Sequence, residues 1–222
     1  MGLNKQKGNM HGFVTHTWNT VKGKCPHDCS YCYMKRFKQP ELHFDEKELK
    51  TNLGTGNFIF VGSSCDMFAE DIPQDWIIET LHHCKKYDNK YFFQTKNPLY
   101  MATFYNNGWF WKLKTTFCIT VETNRENNLG SAPNRQKRIS DYKYIPSNKM
   151  ITIEPIMDFD LIPFVEMIKL CEPAQVNIGA NTMRKVELPE PEPEKVLELI
   201  AELEKFTKVY QKDNLKRLLN KK

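Results

Sequence analysis

The chain has 222 residues with a formal net charge of +5, and 40% of its residues are hydrophobic. This length predicts one globular domain, and the lack of an apolar run of about 18 residues argues against a membrane span. The seven cysteines and the polar first ten residues favour a reducing, cytoplasmic location. Seven basic residues and one acidic residue lie within residues 205–222, which is typical of a nucleic-acid contact or of a solvated helix face.

Apolar segments alternate with helical patterns along the chain. The predicted strands are residues 12–18, 57–62, 91–95, 117–121, 149–153 and 175–178. The predicted helices are residues 45–52, 72–87, 99–105, 134–142, 161–170 and 194–219. This alternation predicts an α/β fold, here a partial (β/α)6 barrel with parallel strands and a C-terminal amphipathic helix. We expect the barrel over residues 1–187 and a Pro/Glu linker with a basic helix over residues 188–222.

Three cysteines with the spacing C-x3-C-x2-C follow the first predicted strand, at Cys25, Cys29 and Cys32. Thiolates are soft ligands that suit iron–sulfur clusters and zinc. Three of them leave a four-ligand site incomplete, which favours a [4Fe-4S] cluster with one open iron. A zinc site would need a fourth ligand such as His27, which lies in a cramped place between two of the cysteines. A disulfide is disfavoured in a chain without an export signal.

This motif, with Tyr31 directly before Cys32, resembles the radical S-adenosylmethionine superfamily. The preceding Thr-Trp-Asn-Thr-Val-Lys-Gly sequence at residues 17–23 is similar to that of a phage-associated branch, whose motif style is like that of spore photoproduct lyase. The resemblance implies that three thiolates hold the cluster and that S-adenosylmethionine chelates the fourth iron. It also implies reductive cleavage of that cofactor to a 5′-deoxyadenosyl radical, with Tyr31 close to the adenine.

Polar or small residues follow each predicted strand. In barrels of this type the functional groups collect at the C-terminal ends of the strands. After the cysteine loop, the strand ends carry Ser63, Ser64, Cys65, Lys96, Glu122, Glu154 and Gly179. Glutamate and lysine are costly to bury without partners, so this pattern predicts a polar site over a packed interior.

The resemblance implies cofactor-binding roles for several of these residues. Ser63 and Ser64 stand where many members carry Gly-Gly-Glu, so they are expected near the methionine amino group. Glu122 matches the position that binds the ribose hydroxyls, and Gly179 lies in a weak match to a segment that contacts adenine through its backbone. Lys96 is expected to pair with the cofactor carboxylate or with an anionic substrate.

Two further residues complete the predicted site. Glu154 is expected to contact substrate or cofactor. Cys65 is expected to relay a hydrogen atom, as a cysteine does in spore photoproduct lyase, although a buried and inert cysteine is the alternative.

The main hypothesis is therefore a radical S-adenosylmethionine enzyme that abstracts hydrogen from its substrate and takes electrons from an external donor such as flavodoxin or ferredoxin. A laterally open barrel, the basic final helix and the resemblance favour a nucleic acid or nucleotide substrate. One alternative is an iron–sulfur redox sensor or binding protein without catalysis. Another is a zinc-binding nucleic-acid module.

Overall fold

The structure is a computed structural model that describes residues 2–146, 148–183 and 185–220. Within these residues the main sheet has eight strands. Seven consecutive strands run parallel to one another, and the first strand of the sheet order is antiparallel to its neighbour. Its order is β1 (Asn4–Lys5), β2 (His16–Trp18), β5 (Phe58–Val61), β6 (Lys90–Thr95), β7 (Lys114–Thr120), β8 (Lys149–Ile153), β9 (Gln175–Ile178) and β10 (Lys208–Gln211). The short strands β3 (Val21–Lys22) and β4 (His43–Phe44) form a separate antiparallel pair.

Five helices connect consecutive parallel strands: α1 (Gln74–Cys84), α2 (Pro98–Asn106), α3 (Arg135–Tyr142), α4 (Leu161–Lys169) and α5 (Pro193–Glu204). A short helix, α6 (Lys216–Leu219), follows the last strand. Side-chain caps begin two of them: Asn97 accepts from the Tyr100 amide and Asn134 from the Lys137 amide. The predicted α/β class with a mostly parallel sheet is confirmed. Within the described part of the chain, no helix is long and apolar enough to cross a bilayer.

The two faces of the sheet have different chemistry because side chains alternate along each strand. Residues such as Ile59, Phe93 and Ile151 pack with the helices in the main hydrophobic core. On the opposite face, a smaller apolar cluster gives way to polar side chains toward the C-terminal strand ends, where Gln94 donates to Thr120. The polar end of this face therefore forms one wall of the site.

Residues 6–14, here called the N-terminal segment, lie over that second face. Val14 joins its apolar cluster, and the ring of His11 is within hydrogen-bond distance of Gln94 at 2.9 Å. Asn9 donates to Glu154 beyond β8 and accepts from the amide of Asn214 beyond β10. The segment thus joins parts of the chain at both ends of the parallel run and covers the side where an open barrel was expected.

The long final helix predicted over residues 194–219 is wrong. Helix α5 ends at Glu204, and the chain then forms β10, which pairs with β9 from Lys208 opposite Gln175 to Gln211 opposite Ile178. Parallel pairing gives partners to the backbone groups on the free edge of β9, which a continued helix would leave unpaired. The parallel run therefore has seven strands instead of the six predicted.

Two shorter predictions also need correction. The first parallel strand covers only His16–Trp18, because residues 11–14 form a turn that is closed by a bond from the Val14 amide to the His11 carbonyl. The predicted helix at residues 45–52 is a single 3-10 helix, Glu46–Lys50. The Asp45 side chain caps this helix by accepting from the Lys47 amide.

Candidate cofactor and metal site

The cysteine loop lies between β3 and a short 3-10 helix at Tyr33–Arg36. It coils through consecutive turns, in which the carbonyls of Cys25, Cys29 and Cys32 each accept from an amide three residues later. All three thiols are free, and all three cysteines line one cavity of about 760 Å³. The C-x3-C-x2-C spacing therefore places its thiols at a common site.

The donor set of this loop fits an iron–sulfur cluster. Among the described residues, no three His, Cys, Asp or Glu side chains converge as ligands of a single metal ion. A four-iron cluster engages each thiolate through a different iron, so its ligands need not meet at one point. His27, the fourth ligand required by the zinc alternative, instead donates from Nε2 to Asp66 at 2.9 Å.

The loop that follows β7 supports the cysteine loop from one side. The amide of Ser30 donates to the Leu129 carbonyl, and the amide of Ser131 donates to the His27 carbonyl, both at 2.8 Å. Gly130 lies between them with φ +144°, and a Cβ there would sit 2.4 Å from the His27 oxygen. Only glycine allows this close approach of the two backbones.

Asp66 supports the cysteine loop from the other side. Its Oδ2 accepts from His27 Nε2 at 2.9 Å, from the Thr95 hydroxyl at 3.0 Å and from the Lys96 amide at 2.8 Å. Its Oδ1 accepts from the Phe68 amide. Burial opposes ionisation of this carboxyl, but the attraction of His27 and the donated hydrogen bonds outweigh it and lower the pKa of Asp66.

Glu122 is fully buried and lies outside the cavity. It accepts from the Tyr31 hydroxyl and forms ion pairs with Arg135 and Arg138 on α3, at 3.2 and 3.1 Å. Burial would raise the pKa of Glu122, but attraction by Arg138 and Lys96, with the Tyr31 and Arg135 contacts, lowers it to about 2. Both carboxylate oxygens are used within the protein, so this geometry gives Glu122 the role of holding Tyr31 instead of the predicted ribose contact.

Glu154 lines the cavity but is also engaged within the protein. Its Oε1 accepts from Asn9 at 2.7 Å and from Asn214 at 2.8 Å, and its Oε2 pairs with Lys212. Gly179 lies against this carboxylate without lining the cavity, and a Cβ there would be 2.6 Å from Oε1. The absence of a side chain at Gly179 therefore makes room for the Glu154 carboxylate.

Lys96 is a partly buried cation of the cavity that the rest of the protein leaves available. Within the described ranges, no hydrogen-bond acceptor pairs with its Nζ, which lies 5.5 Å from the centre of the Tyr31 ring. Burial opposes its charge, but attraction by Cys29 and Glu122 outweighs burial and raises the pKa of Lys96. A partly buried cation beside an aromatic ring can receive a carboxylate or a phosphate.

The remaining predicted residues also line the cavity. Asn19 holds the turn after β5 by accepting from the Ser63 hydroxyl and from the Ser64 amide. Cys65 is buried next to Cys25, and the interaction of the two thiols lowers the pKa of Cys25 and raises the pKa of Cys65. The structure thus brings together every predicted site residue except Glu122 and Gly179, which lie behind the cavity wall.

The structure places further residues at the same cavity that are not among the predicted site residues. They include Asn9, His11, Asp66 and Lys212. Asp66 directly follows the predicted Cys65, but its position after a strand equally indicates a helix cap. The sequence pattern does not indicate Lys212 as a site residue, because it predicts a helix for this segment. Burial, together with repulsion from the nearby Lys212, lowers the pKa of His11 to about 3.

No protein-family model matches the chain, and no curated protein matches it. The solved structures that match include spore photoproduct lyase, a radical S-adenosylmethionine enzyme. One variant has a TM-score of 0.60 at 12% identity and covers 93% of this chain and 78% of its own. A variant with dinucleoside spore photoproduct has a TM-score of 0.62 at 11% identity, with coverages of 95% and 80%.

A third structure, a variant with bound AdoMet and dinucleoside spore photoproduct, has a TM-score of 0.56 at 12% identity, with coverages of 92% and 66%. At these identities the comparison shows the fold. The chain has an α/β fold similar to that of a radical S-adenosylmethionine enzyme.

Proposed function

We propose that the protein is a radical S-adenosylmethionine enzyme whose [4Fe-4S] cluster is held by Cys25, Cys29 and Cys32. The observation that carries this proposal is that the three thiols line one cavity with the available cation of Lys96, in a fold similar to that of such an enzyme. When bound, the cluster would supply the electron that cleaves S-adenosylmethionine to the 5′-deoxyadenosyl radical, which takes hydrogen from the substrate.

The chain's own residues bind and orient the cofactor. Lys96 pairs with the methionine carboxylate, because its charge has no partner within the described part of the protein. The turn at Ser63 and Ser64 offers carbonyl and hydroxyl oxygens to the amino group. Tyr31 is fixed through Glu122 and presents its ring to the same cavity. Cys65 is proposed as the hydrogen-atom donor to the substrate, since it lines this cavity beside Cys25.

The proposed substrate is a nucleic acid or a nucleotide, and the proposed electron donor is an external flavodoxin or ferredoxin. The basic tail supports this less than the sequence predicts, because Lys205, Lys212, Lys216 and Arg217 pair with carboxylates of this chain. Better support comes from the cavity rim next to Cys32. There Tyr33 and Phe37 are 41% and 61% exposed, next to the cations Arg36 and Lys38.

The test is anaerobic reconstitution followed by reduction with dithionite in the presence of S-adenosylmethionine. We expect roughly four iron atoms per chain, a brown protein that absorbs at about 400 nm, and 5′-deoxyadenosine detected by mass spectrometry. Alanine substitution of Cys25, Cys29 or Cys32 removes both iron and product. Lys96→Ala keeps the iron and weakens cofactor binding at least tenfold, because the carboxylate loses its partner.

The matched control is Cys171→Ala, which changes another free thiol that packs in the main core away from the cavity. This variant should load iron and release 5′-deoxyadenosine as the wild type does. A protein that loads a cluster but never cleaves S-adenosylmethionine would instead be a redox sensor or binding protein. A colourless protein that binds zinc would contradict both assignments.

A further inference from the structure

Asp66 connects two parts of the proposed cofactor site that lie far apart in sequence. Through Oδ2 it accepts from His27, which lies 39 residues away between the first two cysteines. Through the same oxygen it accepts from the backbone amide of Lys96, 30 residues away at the end of β6. One carboxylate oxygen therefore joins the cysteine loop to the strand end that carries the available cation.

Further contacts make this junction rigid. The Asp66 side chain also accepts from the Thr95 hydroxyl and from the Phe68 amide. His27 is buried, and the side chain of Asp66 is 12% exposed, so little water competes for these bonds. Charge-assisted hydrogen bonds in such surroundings are about twice as strong as neutral ones.

We propose that Asp66 is a positioning residue that sets the placement of the cysteine loop, through His27, and of Lys96, through its backbone amide. This inference rests on the proposed function, in which the loop holds the cluster and Lys96 receives the cofactor carboxylate. Asp66 itself touches neither group through its carboxylate. It fixes the separation between the two ends of the site before the cofactor arrives, which lowers the ordering cost of binding.

Two substitutions test separately the contact of Asp66 with His27 and its contact with the Lys96 amide. Asp66→Asn leaves one acceptor oxygen in place of two, so it cannot serve both His27 and the Lys96 amide while accepting from Phe68. His27→Leu removes only the contact to the cysteine loop, because a leucine side chain has no hydrogen-bond donor. Asp45→Asn is the matched control, because Asp45 also pairs with a cation and caps a helix, with no contact to the cavity.

The first measurement is amide hydrogen exchange of the apoprotein, which needs no cluster. In Asp66→Asn, we expect exchange to accelerate about tenfold or more both in residues 24–33 and in residues 95–97. In His27→Leu, only residues 24–33 should accelerate. Unchanged exchange in both segments of Asp66→Asn would overturn the proposal. If Asp66→Asn does not fold, unchanged exchange of residues 24–33 in His27→Leu overturns it.

The second measurement uses the reconstituted protein. Asp66→Asn should retain several-fold less iron than the wild type and lose the change that S-adenosylmethionine causes in the electron paramagnetic resonance spectrum. His27→Leu should lose iron, yet its loaded fraction should bind S-adenosylmethionine within about twofold of the wild type. If Asp66 only stabilised the fold, its substitution would lower thermal stability, and the two variants would not differ in S-adenosylmethionine binding. If the wild type loads no iron, the proposed function fails while the exchange experiment still decides the role of Asp66.

Discussion

At the scale of single residues, carboxylates after three strands of the sheet each hold another part of the chain. Asp66 holds the cysteine loop, Glu122 holds Tyr31, and Glu154 holds the N-terminal segment and Lys212. The sequence pattern assigns Glu122 to the cofactor and Glu154 to the substrate or the cofactor. In the structure Glu122 lies outside the cavity and pairs with arginines, because an acid after a strand can serve as a ligand or as the partner of a nearby arginine.

The first prediction concerns Glu122→Gln. The change leaves Arg135 and Arg138 buried without a counter-charge, which should lower the free energy of unfolding at pH 7 by about 3–5 kcal/mol. The folded-state pKa of Glu122 is depressed to about 2. Its stabilisation is therefore present above the unfolded pKa of about 4.3 and is lost as pH falls from there toward 2. Urea unfolding followed by circular dichroism between pH 7 and 3 measures this.

The difference between the wild type and Glu122→Gln should thus shrink on acidification, because the wild-type carboxyl becomes neutral too. The control is Glu41→Gln at an exposed ion pair with Lys24, where we expect a change within about 0.5 kcal/mol at every pH. A difference for Glu122→Gln that stays constant down to pH 3 would contradict the ionised pairing described here.

At the scale of elements, the N-terminal segment and β10 complete the site from opposite ends of the chain. The N-terminal segment lies outside the regular alternation of strands and helices, and β10 continues that alternation where the sequence pattern predicts a helix. The N-terminal segment has no repeating apolar pattern, and it is held by specific contacts such as those of Asn9 with Glu154 and Asn214. Residues Thr207, Val209 and Tyr210 favour a strand, but the leucines that follow them extend the helical spacing of α5.

The second prediction concerns Asn9→Ala, which removes the bonds from Asn9 to Glu154 and from the Asn214 amide to Asn9. A loss of about 1–2 kcal/mol should raise the open population of the N-terminal segment roughly tenfold. Trypsin cleavage after Lys7 and hydrogen exchange in residues 6–14 should accelerate accordingly. Asn4→Ala is the control, since the exposed side chain of Asn4 donates to the nearby Gly2 carbonyl and the backbone pairing of β1 is kept. Equal acceleration in both variants would contradict the bridging role of Asn9.

At the scale of the whole molecule, residues 188–220 contribute to the same core as the rest of the described chain. The core includes fully buried residues from α5 and from the segment after β10, namely Val196, Leu199, Leu203, Leu215 and Leu218. Lys212 also pairs with Glu154 across 58 residues of sequence. These contacts favour a single cooperative unit across the boundary predicted at residues 187 and 188.

The third prediction is therefore that a fragment of residues 1–187 does not fold. It would expose the apolar residues that pack against α5 and would leave Glu154 without Lys212. Thermal unfolding by circular dichroism should show no cooperative transition for this fragment, whereas the full chain should show one. A cooperative transition with native-like ellipticity in the fragment would instead support a separate barrel domain with an appended C-terminal helix.

Local pattern alone predicts the cysteine motif, six of the seven parallel strands, helices α1 to α4, and the strand ends where Ser63, Cys65 and Lys96 meet. Periodicity and short spacings carry these features because they depend on neighbouring residues. The tertiary structure alone decides the partners of Asp66, Glu122 and Glu154, the strand at Lys208–Gln211 and the cover formed by the N-terminal segment. Tyr31 and Glu122 are 91 residues apart, and only folding brings them into contact. The role of a buried charge follows from the group that folding places beside it.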